Sequence, residues 1–174
     1  KITEAAYPVS EGDHVSNNSY RSLSFVTNRN VDRTATLAMN LIANALVNHE
    51  SAPVRLALEK AGIGKEVMCW SSESQQNTFT IVSQNANPEE SVRFREVVFQ
   101  AMEKTVREGF DPVSIEGILN RTEFMLKEGD SPQKGLICLF RNQQPWLYSG
   151  DPFLGLGFED SLKEIREGLK SNLL

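Results

Sequence analysis

The chain has 174 residues, 40% hydrophobic and 24% charged, with 18 Lys+Arg against 23 Asp+Glu for a net charge of -5. That is the composition of a folded globular domain; it excludes a disordered tail, and no run approaches the roughly 18 consecutive apolar residues of a membrane-spanning helix. At this length about two thirds of the unfolded surface can be buried, so one sizeable core is expected.

Residues 1 to 19 hold a short alternating stretch, Ile2 to Val9, and then a polar run, Ser10 to Ser19, which reads as an exposed loop. From Tyr20 to Thr27 the pattern alternates, Leu23 and Phe25 on one face and Ser22 and Ser24 on the other, as in a half-buried strand. Asp32 to Asn48 sets Leu37, Ala38, Leu41, Ile42, Ala45 and Leu46 at helical steps with Asp32 as N-cap. A shorter helix follows, with Ser51 as cap, Pro53 in the first turn, and Gly62 and Gly64 ending it. Val67 to Ser72 and Asn77 to Ser83 are rich in strand formers and read as a hairpin extending the sheet begun at Tyr20.

The second half is helical. Asn87-Pro88-Glu89-Glu90 combines an Asx cap, Pro at the first position and a Glu able to bond back to the cap. The helix it starts runs to Gly109 and is expected to bury Val98, Phe99, Met102 and Val106. A second begins at Asp111-Pro112, presents Ile115, Ile118, Leu119, Thr122 and Leu126, and stops at Gly129. Leu136 to Tyr148 has a helical pattern interrupted at Pro145, a Gly/Pro-rich loop spans Gly150 to Gly157, and a last helix carries Phe158, Leu162, Ile165 and Leu169. The fold class is therefore α+β: one domain over 1–174, an antiparallel sheet with helices packed on one face.

Reactive side chains are few. Cys69 and Cys138 match no disulfide framework or metal spacing, and each is flanked by apolar residues, where a free Cys is inert filling. His49-Glu50 lacks the second His of a zinc peptidase helix, so His49 reads as a cap or surface residue, and His14 as a solvated loop residue. Glu89-Glu90 and Glu159-Asp160 sit at helix starts, where free amides favour negative charge. Gly155-Leu156-Gly157 has neither the preceding strand nor the following Lys of a phosphate loop. Arg141 and Tyr148 suggest an oxyanion pair, set against a reading in which Trp146 and Tyr148 anchor the segment in the core while Arg141 faces water. No catalytic or metal residue is assigned, and no substrate-binding residue is identified. The acidic balance without a Lys/Arg cluster argues against a nucleic-acid partner.

The run Asn120-Arg121-x-Glu123-Phe124-x-Leu126-x-Glu128-Gly129, then Gly135-Leu136, Trp146-Leu147-Tyr148-x-Gly150-Asp151-Pro152 and Phe158-Glu159, resembles the presequence protease branch of the pitrilysin/insulinase (inverzincin) metallopeptidases. The stretch from Ser51-x-Pro53 to Gly64 is similar to another segment of that family, and the likeness covers about Tyr20 to Gly168. The resemblance implies a zinc metalloendopeptidase of four similar α+β domains closing around an unstructured peptide, with this chain as the second, non-catalytic domain of the N-terminal half. The family's zinc motif, H-x-x-E-H, belongs to the first domain and is absent from this sequence. Zinc is thus expected in the parent enzyme and no cofactor in this segment. The family's transition-state Arg and Tyr belong to the C-terminal half, so Arg141 and Tyr148 do not inherit that role.

The partners implied are the catalytic and C-terminal domains of the same parent chain and an unfolded, often basic, peptide, with no membrane partner. The chain opens at Lys1-Ile2-Thr3 without Met, a basic segment or an apolar segment, and its last helical pattern ends uncapped, which reads as a fragment of a longer chain. Its compartment stays open between cytoplasm and an organelle or periplasm. The alternatives are a stand-alone α+β module that captures extended peptides by strand addition, and a scaffold whose parent has no active zinc site.

Overall fold

The computed structural model describes residues 2–8, 18–128, 132–149 and 151–170. Three strands form an antiparallel sheet in the order β1-β3-β2: β1 Ser19–Arg29, β2 Glu66–Ser72 and β3 Gln76–Ala86. The helices are α1 Arg33–Ala43, α2 Pro53–Ala61, α3 Ser91–Glu108, α4 Pro112–Glu128, α5 Lys134–Ser149 and α6 Glu159–Lys170. The α+β reading and its element order hold. Residues 2–8 form no regular element, Ser19 already belongs to β1, and the polar run with His14 lies outside the described residues.

Strand parity decides which side chains enter the core. Leu23 stands opposite Ile81, which stands opposite Cys69, and this face receives α1, α2 and α3, with Val47, Val54, Leu58, Ile63 and Val98 fully buried against it. A second cluster, Leu41, Leu119, Leu162 and Ile165, joins α1, α4 and α6. The residues of the resemblance motif serve this junction: Arg166 donates to Asn120 Oδ1 at 3.0 Å and to Glu123 Oε2 at 2.7 Å, which ties α4 to α6.

Local signals operate largely as written. Asp32 Oδ1 accepts from the Ala35 amide at 3.0 Å, Asp111 caps α4 through the Ser114 amide at 2.8 Å, and Asn87 with Glu90 forms a capping box ahead of α3. Gly62 and Gly64 adopt φ of 70° and 72°. At Gly64 a Cβ would lie 2.0 Å from Ser83 Oγ and 2.7 Å from the Gln84 carbonyl, so only glycine lets this turn reach β3.

Five details differ from the sequence reading. First, α1 passes at Asn44–Asn48 into a turn of π-helix, whose wider pitch buries Ala45, Leu46 and Val47 in succession. Second, Ala52, not Ser51, is the N-cap of α2, and the Ser51 hydroxyl lies 2.9 Å from His49 Nδ1 instead.

Third, the buried stripe of α3 is Phe94, Val98, Ala101 and Thr105; Val106 is 86% exposed and Phe99 is turned to the rim, its ring edge-on to Phe25 and beneath Arg95. A helix with apolar residues around most of its circumference leaves the choice of face to its partner. Fourth, α5 continues through Pro145. The ring removes the donor for the Arg141 carbonyl, and Gly155 packs against that carbonyl so closely that a Cβ there would lie 2.2 Å from it. Fifth, Pro145 is the buried residue of α5, whereas Trp146 and Tyr148 are exposed and Arg141 is half-buried, which reverses the expected anchoring.

Candidate functional site

The residues considered for chemistry do not converge. His49 is exposed and turned to Ser51. Cys69 is buried in β2, and burial pushes its thiol up to about 12, so it is protonated and inert at neutral pH. Cys138 is half-buried on α5. Glu90 completes its capping box, and Glu159 accepts from the Phe158 amide at 3.3 Å. Gly155 serves as the packing contact for α5. Arg141 and Tyr148 lie about two turns apart on one helix, roughly 10 Å at 1.5 Å per residue. Among the described residues no three His, Cys, Asp or Glu side chains stand close enough to hold a metal, and the donors present do not fit zinc. No described helix is long and apolar enough to cross a membrane.

What the fold does produce, among the described residues, is a sheet with helices on one face and none on the other. Three cross-strand rows make up its centre: Met68–Val82–Ser22, Trp70–Thr80–Ser24 and Ser72–Thr78–Val26. None of these nine residues is charged; Glu66 begins the next row. The hydroxyls pair with one another, Ser24 with Thr80 at 3.0 Å and Ser72 with Thr78. Tyr20 extends the face along β1 and meets the Tyr7 ring edge-on at 5.6 Å. Tyr20 is 53%, Val26 66% and Trp70 45% exposed. Tyr20, Val26 and Trp70 thus stand in water on a hydroxylated surface whose central rows carry no charge.

One edge of the sheet is closed. Asn48 donates from Nδ2 to the Cys69 carbonyl at 2.8 Å and accepts from the Cys69 amide at Oδ1, also 2.8 Å. The amide side chain thereby takes the outward backbone groups that an added strand would need at the middle of β2. Strand addition at this edge is obstructed, whereas the open face is not. On the helical side, a groove of about 660 Å³ runs between α2, α3 and the start of α4, with Ala57, Ala101, Phe110 and Ile118 along it and Lys60 and Lys104 in its lining. The sequence reading placed Ser22 and Ser24 on the face opposite Leu23 and Phe25, with helices on one face of the sheet only; the structure adds Tyr20 and Trp70 to that open face. The available signal was parity: Tyr20 and Trp70 alternate with Leu23-side and Cys69-side core residues and must point the other way.

No family model matches the chain. It is 36% identical over 169 residues, 95% of its length, to Protein HypA of Clostridium perfringens. It is 26% identical over 140 residues, 78% of its length, to presequence protease 1, chloroplastic/mitochondrial, of Arabidopsis thaliana. The chain spans 17% and 13% of the lengths of these two relatives. In fold it is similar to the inactive peptidase domain of a putative zinc protease from Bordetella parapertussis, with a TM-score of 0.67 at 13% identity, covering 83% of this chain and 78% of that one.

Proposed function

The chain belongs with the presequence-protease relatives of the pitrilysin-type peptidases, and from that premise we propose that it is a non-catalytic wall domain of a zinc metalloendopeptidase that degrades unstructured peptides. In this reading residues 1–174 are one domain, the second of the N-terminal half. Its helices pack on the catalytic and C-terminal domains of the same parent chain, and its sheet faces the substrate chamber. The observation that supports it most is the one-sidedness of the sheet: the helices α1, α2 and α3 cover one face, and among the described residues no helix covers the other, whose three central rows are uncharged. The groove between α2, α3 and α4, lined by apolar residues together with Lys60, Lys104, Glu108 and Asp111, suits docking of a neighbouring domain.

A wall of this kind contributes by exclusion. An enclosing surface admits a flexible peptide, rejects a folded protein by size, and keeps bulk water from the bond being cleaved. Zinc, supplied by the catalytic domain, would polarise the scissile carbonyl and activate the attacking water; no residue of this chain takes part in that step.

The test compares the 174-residue chain with the full-length product of its gene. We expect no stoichiometric zinc and no peptide cleavage from the short chain, and one zinc with cleavage from the long one. A zinc held tightly by the short chain overturns the reading. So does a full-length product without H-x-x-E-H, which instead supports the scaffold alternative.

A further inference from the structure

We propose that the open face of the sheet is a subsite for uncharged, extended peptide segments carrying aromatic or β-branched side chains, held by Trp70, Tyr20 and Val26. This rests on the wall reading and gives it a substrate preference. The chain carries 24% charged residues and a net charge of -5, yet the three central rows of the face carry none. A Lys or Glu side chain laid on those rows would lose water and gain no counter-ion, whereas an apolar one loses nothing. The acidic balance of the whole chain therefore does not describe this surface, and basic segments are not what it selects.

Area decides between occupants. Tyr20 and Val26 are six residues apart on β1, about 20 Å at 3.3 Å per residue, and β1 lies two strand spacings, about 10 Å, from β2. A face on the order of 200 Å² is well short of the roughly 800 Å² per partner of a stable interface, so neither a second copy nor a folded domain is held by it alone. It matches an extended segment of about six residues. Composition agrees: rigid aromatic anchors among Ser and Thr hydroxyls form an adaptable surface that accepts many sequences, unlike the aliphatic faces of permanent interfaces. Ser24 already pairs with Thr80, and Ser72 with Thr78, so these four hydroxyls demand no polar ligand. With the β2 edge clasped at Cys69 by Asn48, a segment lying along β2 meets this face through side chains and not through a backbone ladder.

The experiment uses the whole 174-residue chain and fluorescently labelled peptides of about ten residues, long enough to span the face. One alternates Phe or Val with Thr; the other has Lys in place of every Thr. Fluorescence anisotropy should report binding of the uncharged peptide, changed less than about twofold by a tenfold rise in salt. Trp70→Ser and Tyr20→Ser should each weaken it, and together by about tenfold or more. Both positions are exposed, so circular dichroism should show an unchanged fold, and Val106→Ser, on the far side of α3, should leave the affinity as it was. Equal binding by the double variant overturns the proposal, as does tighter, salt-sensitive binding of the Lys peptide. Either result leaves the wall reading standing if the full-length product holds zinc and cleaves; zinc in the short chain removes that reading whatever the peptides do.

Discussion

Replacing Asn48 with alanine tests the closure of the β2 edge. The change removes two hydrogen bonds of 2.8 Å and leaves the Cys69 amide and carbonyl facing the π-turn without partners. A net worth of about 1 kcal/mol per bond gives a loss of about 2 kcal/mol, somewhat more if water cannot replace the side chain. For a domain of this size that corresponds to a fall in Tm of about 4 to 8 °C. Calorimetry or thermal circular dichroism reads it directly. Asn48→Asp keeps an acceptor for the Cys69 amide but sets a second acceptor against the Cys69 carbonyl, so it should fall near the alanine variant and not near the parent. An Asn48→Ala Tm within about a degree of the parent would refute the clasp and return the β2 edge to the surfaces open for strand addition.

Gly64→Ala combines a φ of 72° with a Cβ 2.7 Å from the Gln84 carbonyl, and should cost about 3 kcal/mol or more in urea unfolding, while Gly62→Ala, with nothing near its Cβ, should cost about 1 to 2 kcal/mol from backbone strain alone. Cys69 should resist alkylation at pH 8 in the native chain and react once it is unfolded. Its folded thiol is raised to about 12 from an ordinary 9.0, so the associated stability is fully present below pH 9 and is lost as pH rises from there toward 12; Cys69→Ala should flatten that alkaline limb. Glu123 is held below its ordinary value by its hydrogen bond to Lys127 and then by that to Arg166. A depressed carboxylate contributes above its unfolded value and loses that contribution as pH falls through the folded one. The parent should therefore lose stability as pH falls below the ordinary glutamate range, where Glu123→Gln shows a shallower decline in a denaturation series.

Most of the architecture was legible in the sequence because its signals are local. Asp32, Pro53, Asn87 and Asp111 mark helix starts, Gly62 ends α2, and the alternation of Leu23 and Phe25 with serines assigns the two faces of β1; none of these needs a distant partner. The resemblance motif was legible too, although its physical work was not: Asn120 and Glu123 grip Arg166, and Gly155 fits beneath α5 at Arg141.

The candidate site shows where local signals stop. By itself the sequence determined the α+β class, an antiparallel sheet with helices on one side, and the order of the elements. Tertiary structure alone decided which stripe of α3 is buried, that α5 runs on through Pro145 with Trp146 and Tyr148 in water, that Asn48 closes the β2 edge, and that Trp70 stands in one row with Thr80 and Ser24. The physical reason is that caps and periodicities act within a turn or two of chain, whereas the partner of a face is chosen by packing between segments far apart in sequence, as Ser24 is from Thr80.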